Sequence, residues 1–306
     1  MGLGVEKSAD STETAWRRQP FFGIMARFYC RIDAKVMVEI VLYAALGGAV
    51  AGLLAGLMGI GGGLILVPLL IWLFEQQWPG YSANTHLAIG TTLATIIPTA
   101  LSSSLAHHRR RNIDWQQVRS LTPSVIVGTL LGALLAHHLS GKLLLTLFIG
   151  YLVTMALKML FEGDTHPPPL PSPPASAVSK LAHRGCGLLI GSISAMVGIG
   201  GGTLSVPCLL HRGVTMRRAI GTSSFIGLPL ALAAATAYAV TGQQLADPPP
   251  YSTGYLYWPL FIAISPLSVA TAPLGSRLAH LLPLRWLKKI FALLLIFTAL
   301  KMVTVP

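Results

Sequence analysis

The chain alternates long apolar stretches with short polar segments. A helix needs about 20 apolar residues to cross the hydrocarbon core of a membrane. Six uninterrupted stretches have about that length and predict membrane-spanning helices: His86–Ala106, Val118–His138, Leu143–Phe161, Ala219–Thr241, Gly254–Ser276 and Trp286–Thr304. The pattern therefore predicts an all-α polytopic membrane protein.

Two further apolar stretches, Val36–Phe74 and Gly185–Leu210, are interrupted by the sequence Gly-Ile-Gly-Gly-Gly at positions 59–63 and 198–202. Each glycine costs a helix about 1 kcal/mol relative to alanine. Each stretch is therefore predicted to form two helical segments joined by an irregular turn. Gly185–Leu210 is too short for two complete crossings, so these segments are predicted to be re-entrant, entering and leaving on one side of the membrane.

A proline-rich segment divides the chain in half. Residues 162–182 contain six prolines and no apolar periodicity, which is typical of an extended, polyproline-like linker. The predicted domains are, in order, a polar and basic N-terminal extension (1–35), a first membrane repeat (36–161), the linker (162–182) and a second membrane repeat (183–306).

The two halves share sequence blocks in the same order. The Gly-Ile-Gly-Gly-Gly segment and the Val-Pro that follows it recur 139 positions later. The block Ala-Ile-Gly-Thr-Thr that begins at Ala88 recurs as Ala-Ile-Gly-Thr-Ser from Ala219, and Ala-Leu-Lys-Met recurs from Ala156 to Ala299. Several matching blocks in one order predict a two-fold internal repeat.

The distribution of basic residues predicts that the repeats are inverted. Lys and Arg concentrate in cytoplasmic loops, and loops 107–111, 211–218 and 280–289 are basic, whereas loops 75–85 and 242–253 have no Lys or Arg. The equivalent loops 75–85 and 211–218 thus lie on opposite sides. We predict two inverted-topology repeats, each with a glycine-broken, re-entrant helix pair plus three transmembrane helices, as in many secondary transporters. Basic residues before Val36 favour a cytoplasmic N-terminus, whereas the inversion requires the first hairpin to begin outside.

The composition of the chain argues against several classes of functional site. Only 10% of the residues are charged, against about 25% in soluble domains. The ten acidic residues lie outside the six uninterrupted spans, so carboxylate proton relays, intramembrane cation sites and paired-carboxylate enzymes are not expected. The net charge of +12 sits in loops as a topology signal, and nucleic-acid binding is not expected. Three cysteines without CxxC spacing predict neither a disulfide framework nor a zinc site, and no metal or cofactor is expected.

The glycine turns are predicted to form a central anion site. Irregular backbone at membrane depth survives where it is buried in protein or lines a cavity, and the helix after each turn presents free N–H groups and a positive dipole end. Hydroxyl groups that open the next helix in each half can donate to the same anion. The predicted substrate-binding residues are Gly59, Gly61, Gly62, Gly63, Thr91, Thr92, Gly198, Gly200, Gly201, Gly202, Thr222 and Ser223.

Each of these predictions has an alternative. Ser and Thr hydroxyls inside helices commonly bond to a carbonyl of their own helix. Other glycine pairs, such as Gly48/Gly52 and Gly128/Gly132, are predicted to serve close helix packing.

His86, at the start of a span, is a candidate proton site because imidazole titrates near neutral pH.

Two Gly-Ile-Gly-Gly-Gly–Val-Pro segments and two Ala-Ile-Gly-Thr blocks, separated by a polar linker, resemble the TauE/SafE sulfite-exporter family from about Val36 to Met302. The resemblance implies a multi-pass protein of the bacterial inner (plasma) membrane that exports sulfite or an organosulfonate and is not an enzyme. The expected partners are this small anion and the lipid bilayer, without nucleic acid, and a homo-oligomer is compatible with the sequence. The alternatives are an anion channel and a membrane sulfur-relay protein that uses Cys208.

Overall fold

The computed structural model describes residues 34–59, 61–161, 177–245, 247–279 and 284–303. These residues form ten α-helices: α1 (Ala34–Met58), α2 (Gly63–Gln77), α3 (Asn84–Arg109), α4 (Trp115–His138), α5 (Gly141–Phe161), α6 (Ala177–Val197), α7 (Gly202–Leu210), α8 (Met216–Thr241), α9 (Trp258–Leu278) and α10 (Leu284–Val303). A short antiparallel hairpin of β1 (Ser252–Thr253) and β2 (Leu256–Tyr257) precedes α9. The contacts discussed below lie within the compact unit Ala44–Pro306.

Among the described residues, five helical segments are long and apolar enough to cross a membrane: Glu39–Met58, Asn84–Arg109, Trp115–His138, Met216–Gln244 and Trp258–Leu278. Their outer surfaces remain apolar, as shown by exposed leucines such as Leu46, Leu131 and Leu232. A soluble protein rarely exposes apolar surface on this scale. The prediction of an all-α polytopic membrane protein is confirmed.

Both glycine-broken stretches form two helices joined by a turn, as predicted. The break lies between Met58 and Gly63 in the first half and between Val197 and Gly202 in the second. The arms are unequal, since α1 has 25 residues and α2 has 15, while α6 has 21 and α7 has 9. At 1.5 Å per residue, α7 is about 14 Å long, less than half the ~30 Å of the hydrocarbon core. Helix α7 alone therefore cannot cross a bilayer.

Two predicted boundaries are wrong. Helix α9 begins at Trp258 rather than Gly254, because Gly254 has a φ of +57° and belongs to the turn of the β-hairpin. Helix α6 begins at Ala177, so residues 177–182 of the predicted linker are helical; the prolines that would oppose a helix end at Pro174. The remainder of that linker, and residues 1–33 of the predicted N-terminal extension, lie outside the described residues.

Glycines hold the long helices close together. A side chain at Gly52 of α1 would collide with the carbonyl oxygen of Ser268 in α9, and one at Gly191 of α6 would collide with that of Val125 in α4. Such contacts need glycine because the partner backbone occupies the space of a Cβ atom. The predicted packing role is confirmed for Gly48, Gly52, Gly128 and Gly132, and it extends to Gly187 and Gly191.

Candidate functional site

The two glycine turns meet in the interior, although 139 positions separate them in sequence. A Cβ atom built on Gly61 would lie 3.0 Å from the Cα atom of Gly200, and one on Gly63 would collide with the carbonyl oxygen of Gly198. The turns can approach this closely because neither has side chains at the contact. The predicted juxtaposition of the two turns is therefore present.

The backbone of the turns requires glycine. Positive φ angles of 70° to 79° occur at Gly59, Gly61, Gly62, Gly198 and Gly201, in the left-handed region that residues with a Cβ atom rarely adopt. Helices α2 and α7 begin directly after this backbone, and their N-cap glycines supply no side-chain hydrogen bond. The first N–H groups and the positive dipole ends of both helices therefore lie at the meeting point of the turns.

A cavity lies where the turns meet helices α1, α3 and α8. Its volume is about 10 Å³. A cavity needs roughly 10–15 Å³ in the same measure to hold one water molecule, so this cavity has about the size of one water. Its lining contains small, apolar and hydroxyl residues, and none that ionises. The lining residues are Ala55, Gly59, Gly61, Ile96, Ala100, Ser103, Gly200, Ser224 and Gly227.

Two serine hydroxyls supply the polar side-chain atoms of this lining. The hydroxyl oxygen of Ser103 lies 3.3 Å from that of Ser224 and 3.5 Å from the carbonyl oxygen of Ala55. Both serines are buried, with 1% and 4% of their surfaces exposed. Because a hydroxyl rotates freely and both donates and accepts, this pair can redirect its hydrogen bonds to a bound anion.

The predicted glycines divide into two groups. Gly59, Gly61 and Gly200 line the cavity. Gly62, Gly63, Gly198, Gly201 and Gly202 are absent from its lining. A side chain on Gly62 would meet Ala51 and one on Gly201 would meet Leu230, so these two N-cap glycines face the surrounding helices.

Thr91 and Thr222 connect the two halves. The hydroxyl oxygen of Thr91 on α3 accepts a hydrogen bond from the backbone N–H of Tyr257, at 3.0 Å. The hydroxyl oxygen of Thr222 on α8 accepts one from the backbone N–H of Asp114, at 2.9 Å. Both threonines are fully buried and lie outside the cavity lining. Each thus anchors the segment that leads into a transmembrane helix of the other half.

The glycines preceding these threonines have a matching role. A side chain on Gly90 would collide with the carbonyl oxygen of Tyr255, and one on Gly221 would collide with that of Asn112. The Ile-Gly-Thr block therefore consists of a glycine that admits a loop of the other half and a threonine that accepts its N–H group.

Thr92 and Ser223 follow these threonines and are also fully buried. The hydroxyl of Ser223 donates to the carbonyl oxygen of Gly59 across 3.4 Å, which links α8 to the first glycine turn. The hydroxyl of Thr92 has no hydrogen-bond partner within the described part of the chain. Neither side chain belongs to the cavity lining.

His86 lies away from the cavity. Its Nε2 atom is 3.1 Å from the carbonyl oxygen of Ala136 in the last turn of α4, and its ring stacks on Tyr255 with 5.0 Å between centroids. The phenol of Tyr255 lies 3.3 Å from Nδ1 of His137, and burial raises the pKa of this phenol. The candidate proton site therefore belongs to a His–Tyr–His group, not to the glycine turns.

The cysteine prediction is wrong in one respect. The structure bonds the sulfur of Cys186 in α6 to that of Cys208 in α7. The turn at 198–201 folds the two helices back on each other, so cysteines with no CxxC spacing still meet. Among the described residues, no group of three or more His, Cys, Asp or Glu side chains could hold a metal ion.

The sequence does not single out Ser103 as a lining residue, because the Ser102–Ser104 run has no counterpart in the second half. Ile96, Ala100 and Ser103 follow each other at spacings of four and three residues along α3 and line the cavity together. Thr92 is predicted from the sequence to bind substrate, and positions 92, 96, 99 and 103 lie on one face of a helix. Helical periodicity counted from Thr92 therefore indicates the face of α3 that carries Ser103. Gly227 has no comparable sequence signal.

Comparisons with known proteins agree with the membrane architecture. Residues 44–302 match the family model described as "Sulfite exporter TauE/SafE". A probable membrane transporter protein of Haemophilus influenzae is 37% identical over 266 residues, which cover 87% of this chain and 99% of that relative. The probable membrane transporter protein YunE of Bacillus subtilis is 24% identical over 205 residues, covering 61% and 73% respectively. No solved structure matches.

The family match extends over most of the chain and includes both glycine turns, both Ile-Gly-Thr blocks and the helices that pack around them. The relative from Haemophilus influenzae is covered almost completely. The chain therefore belongs to the sulfite exporter TauE/SafE family of membrane transporters.

Proposed function

We propose that this protein is a secondary transporter of the bacterial inner membrane that exports a small sulfur oxyanion, sulfite or an organosulfonate. The anion binds between the two glycine turns. The observation that carries this proposal is a cavity at the contact of the two glycine turns, whose lining has no ionisable side chain. It is lined by Gly61 and Gly200, which directly precede the N-caps of α2 and α7, together with two serine hydroxyls and small or apolar residues.

Electrostatics favours an anion at this position. Each helix N-terminus carries about half a positive elementary charge, and the low dielectric constant of the interior strengthens its field. The lining contains no carboxylate to repel an anion or to attract a cation. The seryl hydroxyls of Ser103 and Ser224 add two donors that can turn toward an oxyanion.

Helix directions support an inverted topology. Gly48, Gly52 and Gly56 of α1 pack on Ile264, Ser268 and Ala272 of α9 in the same order, so these helices run parallel. Gly187 and Gly191 of α6 pack on Leu121 and Val125 of α4, again in parallel. Loop 242–253, on the outside, precedes α9, so α9 and its parallel neighbour α1 run inward. The basic loop 107–111, on the inside, precedes α4, so α4 and its parallel neighbour α6 run outward. The two glycine hairpins, α1–α2 and α6–α7, thus enter the membrane from opposite faces, as expected for inverted repeats.

The size of the cavity favours a carrier over an open channel. A space that holds about one water molecule is too small for a sulfur oxyanion with four or more heavy atoms. The turns must separate before the anion binds, and in an inverted repeat they can do so toward one face at a time. We infer that this arrangement is an occluded state of an alternating-access cycle.

The direct test is flux in proteoliposomes. Purified protein is reconstituted, loaded with radiolabelled sulfite or taurine, and efflux is measured with and without an imposed pH gradient. We expect saturable efflux of at least one of these anions and accelerated exchange when the same anion is present on both sides. Flux that rises linearly with concentration and shows no exchange would indicate a channel, and no flux of either anion would refute the substrate class.

Matched serine variants localise the site. Ser103→Ala removes a cavity hydroxyl, whereas Ser104→Ala removes a neighbouring buried hydroxyl that donates to the carbonyl of Leu101 in its own helix. We expect Ser103→Ala to raise the half-saturating concentration of the anion at least about tenfold, because a hydrogen bond to a charged group contributes about 1.5–3 kcal/mol. Ser104→Ala should leave it unchanged. Equal effects of the two variants would contradict the proposed position of the site.

A further inference from the structure

The second glycine hairpin carries a cysteine pair across its two arms. Cys186 lies in the middle of α6 and Cys208 near the end of α7, and their sulfur atoms are bonded. The Cα atoms are 7.1 Å apart, slightly beyond the roughly 4.4–6.8 Å that disulfides usually span. A change of about one ångström in the spacing of the two arms therefore decides whether the sulfurs can bond.

The first hairpin provides an internal comparison. Shifting Cys186 and Cys208 back by the repeat offset of 139 gives Gly47 and Leu69, and these residues also face each other, because a Cβ atom on Gly47 would collide with Cδ2 of Leu69. The same point of contact between the arms is apolar in the first half and a sulfur pair in the second. Packing at this position thus does not require cysteine.

The pair is connected to the cavity through the second glycine turn, and it lies at the surface of the protein. Gly200, in the turn between the two arms, lines the cavity, and both cysteines are partly exposed. In the proposed topology the start of α6 and the end of α7 face the cytoplasm, and His183 and Arg212 lie close to each other there. Low-molecular-weight thiols and the anion to be exported are present on that side of the membrane.

We propose that Cys186 and Cys208 form a reversible covalent clasp that holds the second hairpin closed and that a sulfur nucleophile opens. The bond restrains α6 against α7 and thereby limits the movement of the turn at Gly200. When the bond is broken, the arms can separate, and the second turn can withdraw from the first.

The chemistry is thiol–disulfide exchange or its sulfite equivalent. A nucleophile attacks one sulfur, a new sulfur–sulfur bond forms, and the electron pair of the old bond leaves with the other cysteine as a thiolate that takes a proton from water. A low-molecular-weight thiol yields a mixed disulfide, and a second thiol releases it to give the dithiol. Sulfite yields one S-sulfocysteine and one free thiol. A low-molecular-weight disulfide, by accepting two electrons, restores the clasp. The sulfite route rests on the proposed function.

Counting alkylated cysteines tests the chemistry without transport. Protein treated with oxidised glutathione is denatured and alkylated, and its intact mass is measured. We expect one alkyl group, on Cys30, before reduction and three after it; the Cys208→Ser variant should take two alkyl groups after reduction. Brief incubation of the folded, oxidised protein with reduced glutathione should restore all three sites, whereas sulfite should add one sulfonate to one cysteine. Three alkyl groups after oxidation would refute the clasp.

Flux measurements test its consequence. We expect anion flux of the oxidised protein to be at least about threefold slower than that of the reduced protein. The matched control, Cys186→Gly combined with Cys208→Leu, installs the pair found in the first half and should transport at the reduced rate under both conditions. Equal flux of oxidised and reduced wild-type protein would refute the regulatory role. Absence of flux in every form, with the alkylation pattern intact, would refute the proposed substrate instead and leave the covalent chemistry established.

Discussion

Filling the cavity with a single methyl group separates a role in transport from a role in folding. Gly227 of α8 lines the cavity and has ordinary helical backbone. A Cβ atom at this position would point at the second glycine turn and lie 2.8 Å from the carbonyl oxygen of Gly200. Gly227→Ala therefore places a group of about the size of a water molecule, roughly 30 Å³, into a space that holds about one water.

The expected stability change is small because two effects oppose each other. Alanine is favoured over glycine in a helix by about 1 kcal/mol, while overpacking costs about 1–3 kcal/mol. The variant should therefore be destabilised by about 0–2 kcal/mol and remain folded. Anion flux should fall at least about tenfold, because the methyl group occupies the position of the substrate.

A second glycine provides the control. Gly150 lies in α5, and a Cβ atom built there meets nothing within 4 Å. Gly150→Ala gains the same helix propensity without filling the cavity, so its flux per folded molecule should equal that of the wild type. Thermal unfolding in detergent and sulfite flux in proteoliposomes are measured on the same preparations. If Gly227→Ala transports at the wild-type rate, the cavity between the turns does not lie on the transport pathway.

Three further outcomes are expected. Thr222→Val leaves the N–H group of Asp114 without its acceptor, so thermal unfolding should show a loss of about 1–3 kcal/mol while flux per folded molecule persists; lost flux at unchanged stability would instead assign the hydroxyl to the substrate. A cysteine at Gln243 should react with an impermeant maleimide from outside the cell and one at Arg110 should not; labelling of both from one side contradicts the proposed topology. Replacing sodium with choline should leave flux unchanged, and a sodium requirement would point to a cation site elsewhere.

Hydropathy and glycine content predicted the helices well because both depend on local sequence. The spans need about 20 apolar residues and the turns need backbone that only glycine adopts readily, and neither requirement depends on distant contacts. The two errors at Gly254 and Ala177 are also local. A glycine with positive φ ends one apolar run early, and the absence of further prolines allows a helix to begin within the linker.

The roles of the hydroxyl residues could not be predicted in this way. Thr91 bonds to a backbone group 166 residues away and Thr222 to one 108 residues away, so their partners depend on how the halves assemble. The sequence repeat showed that these positions are equivalent, but equivalence indicates a shared role without saying which one. The Cys186–Cys208 bond was missed for the same reason, because a hairpin brings distant residues together irrespective of spacing.

The contacts that recur in both halves distinguish the helix pairs that move as rigid units from the cavity that opens between them. Helix α1 packs on α9, and α6 on α4, through glycines whose partners are backbone atoms, and such contacts tolerate little sliding because no flexible side chain intervenes. Each pair combines the first arm of one hairpin with a helix of the other half, and the cavity lies between the two turns, along α3 and α8. We therefore expect the transport movement to displace these pairs as units, with the contact between Gly61 and Gly200 opening while each glycine-packed pair stays intact.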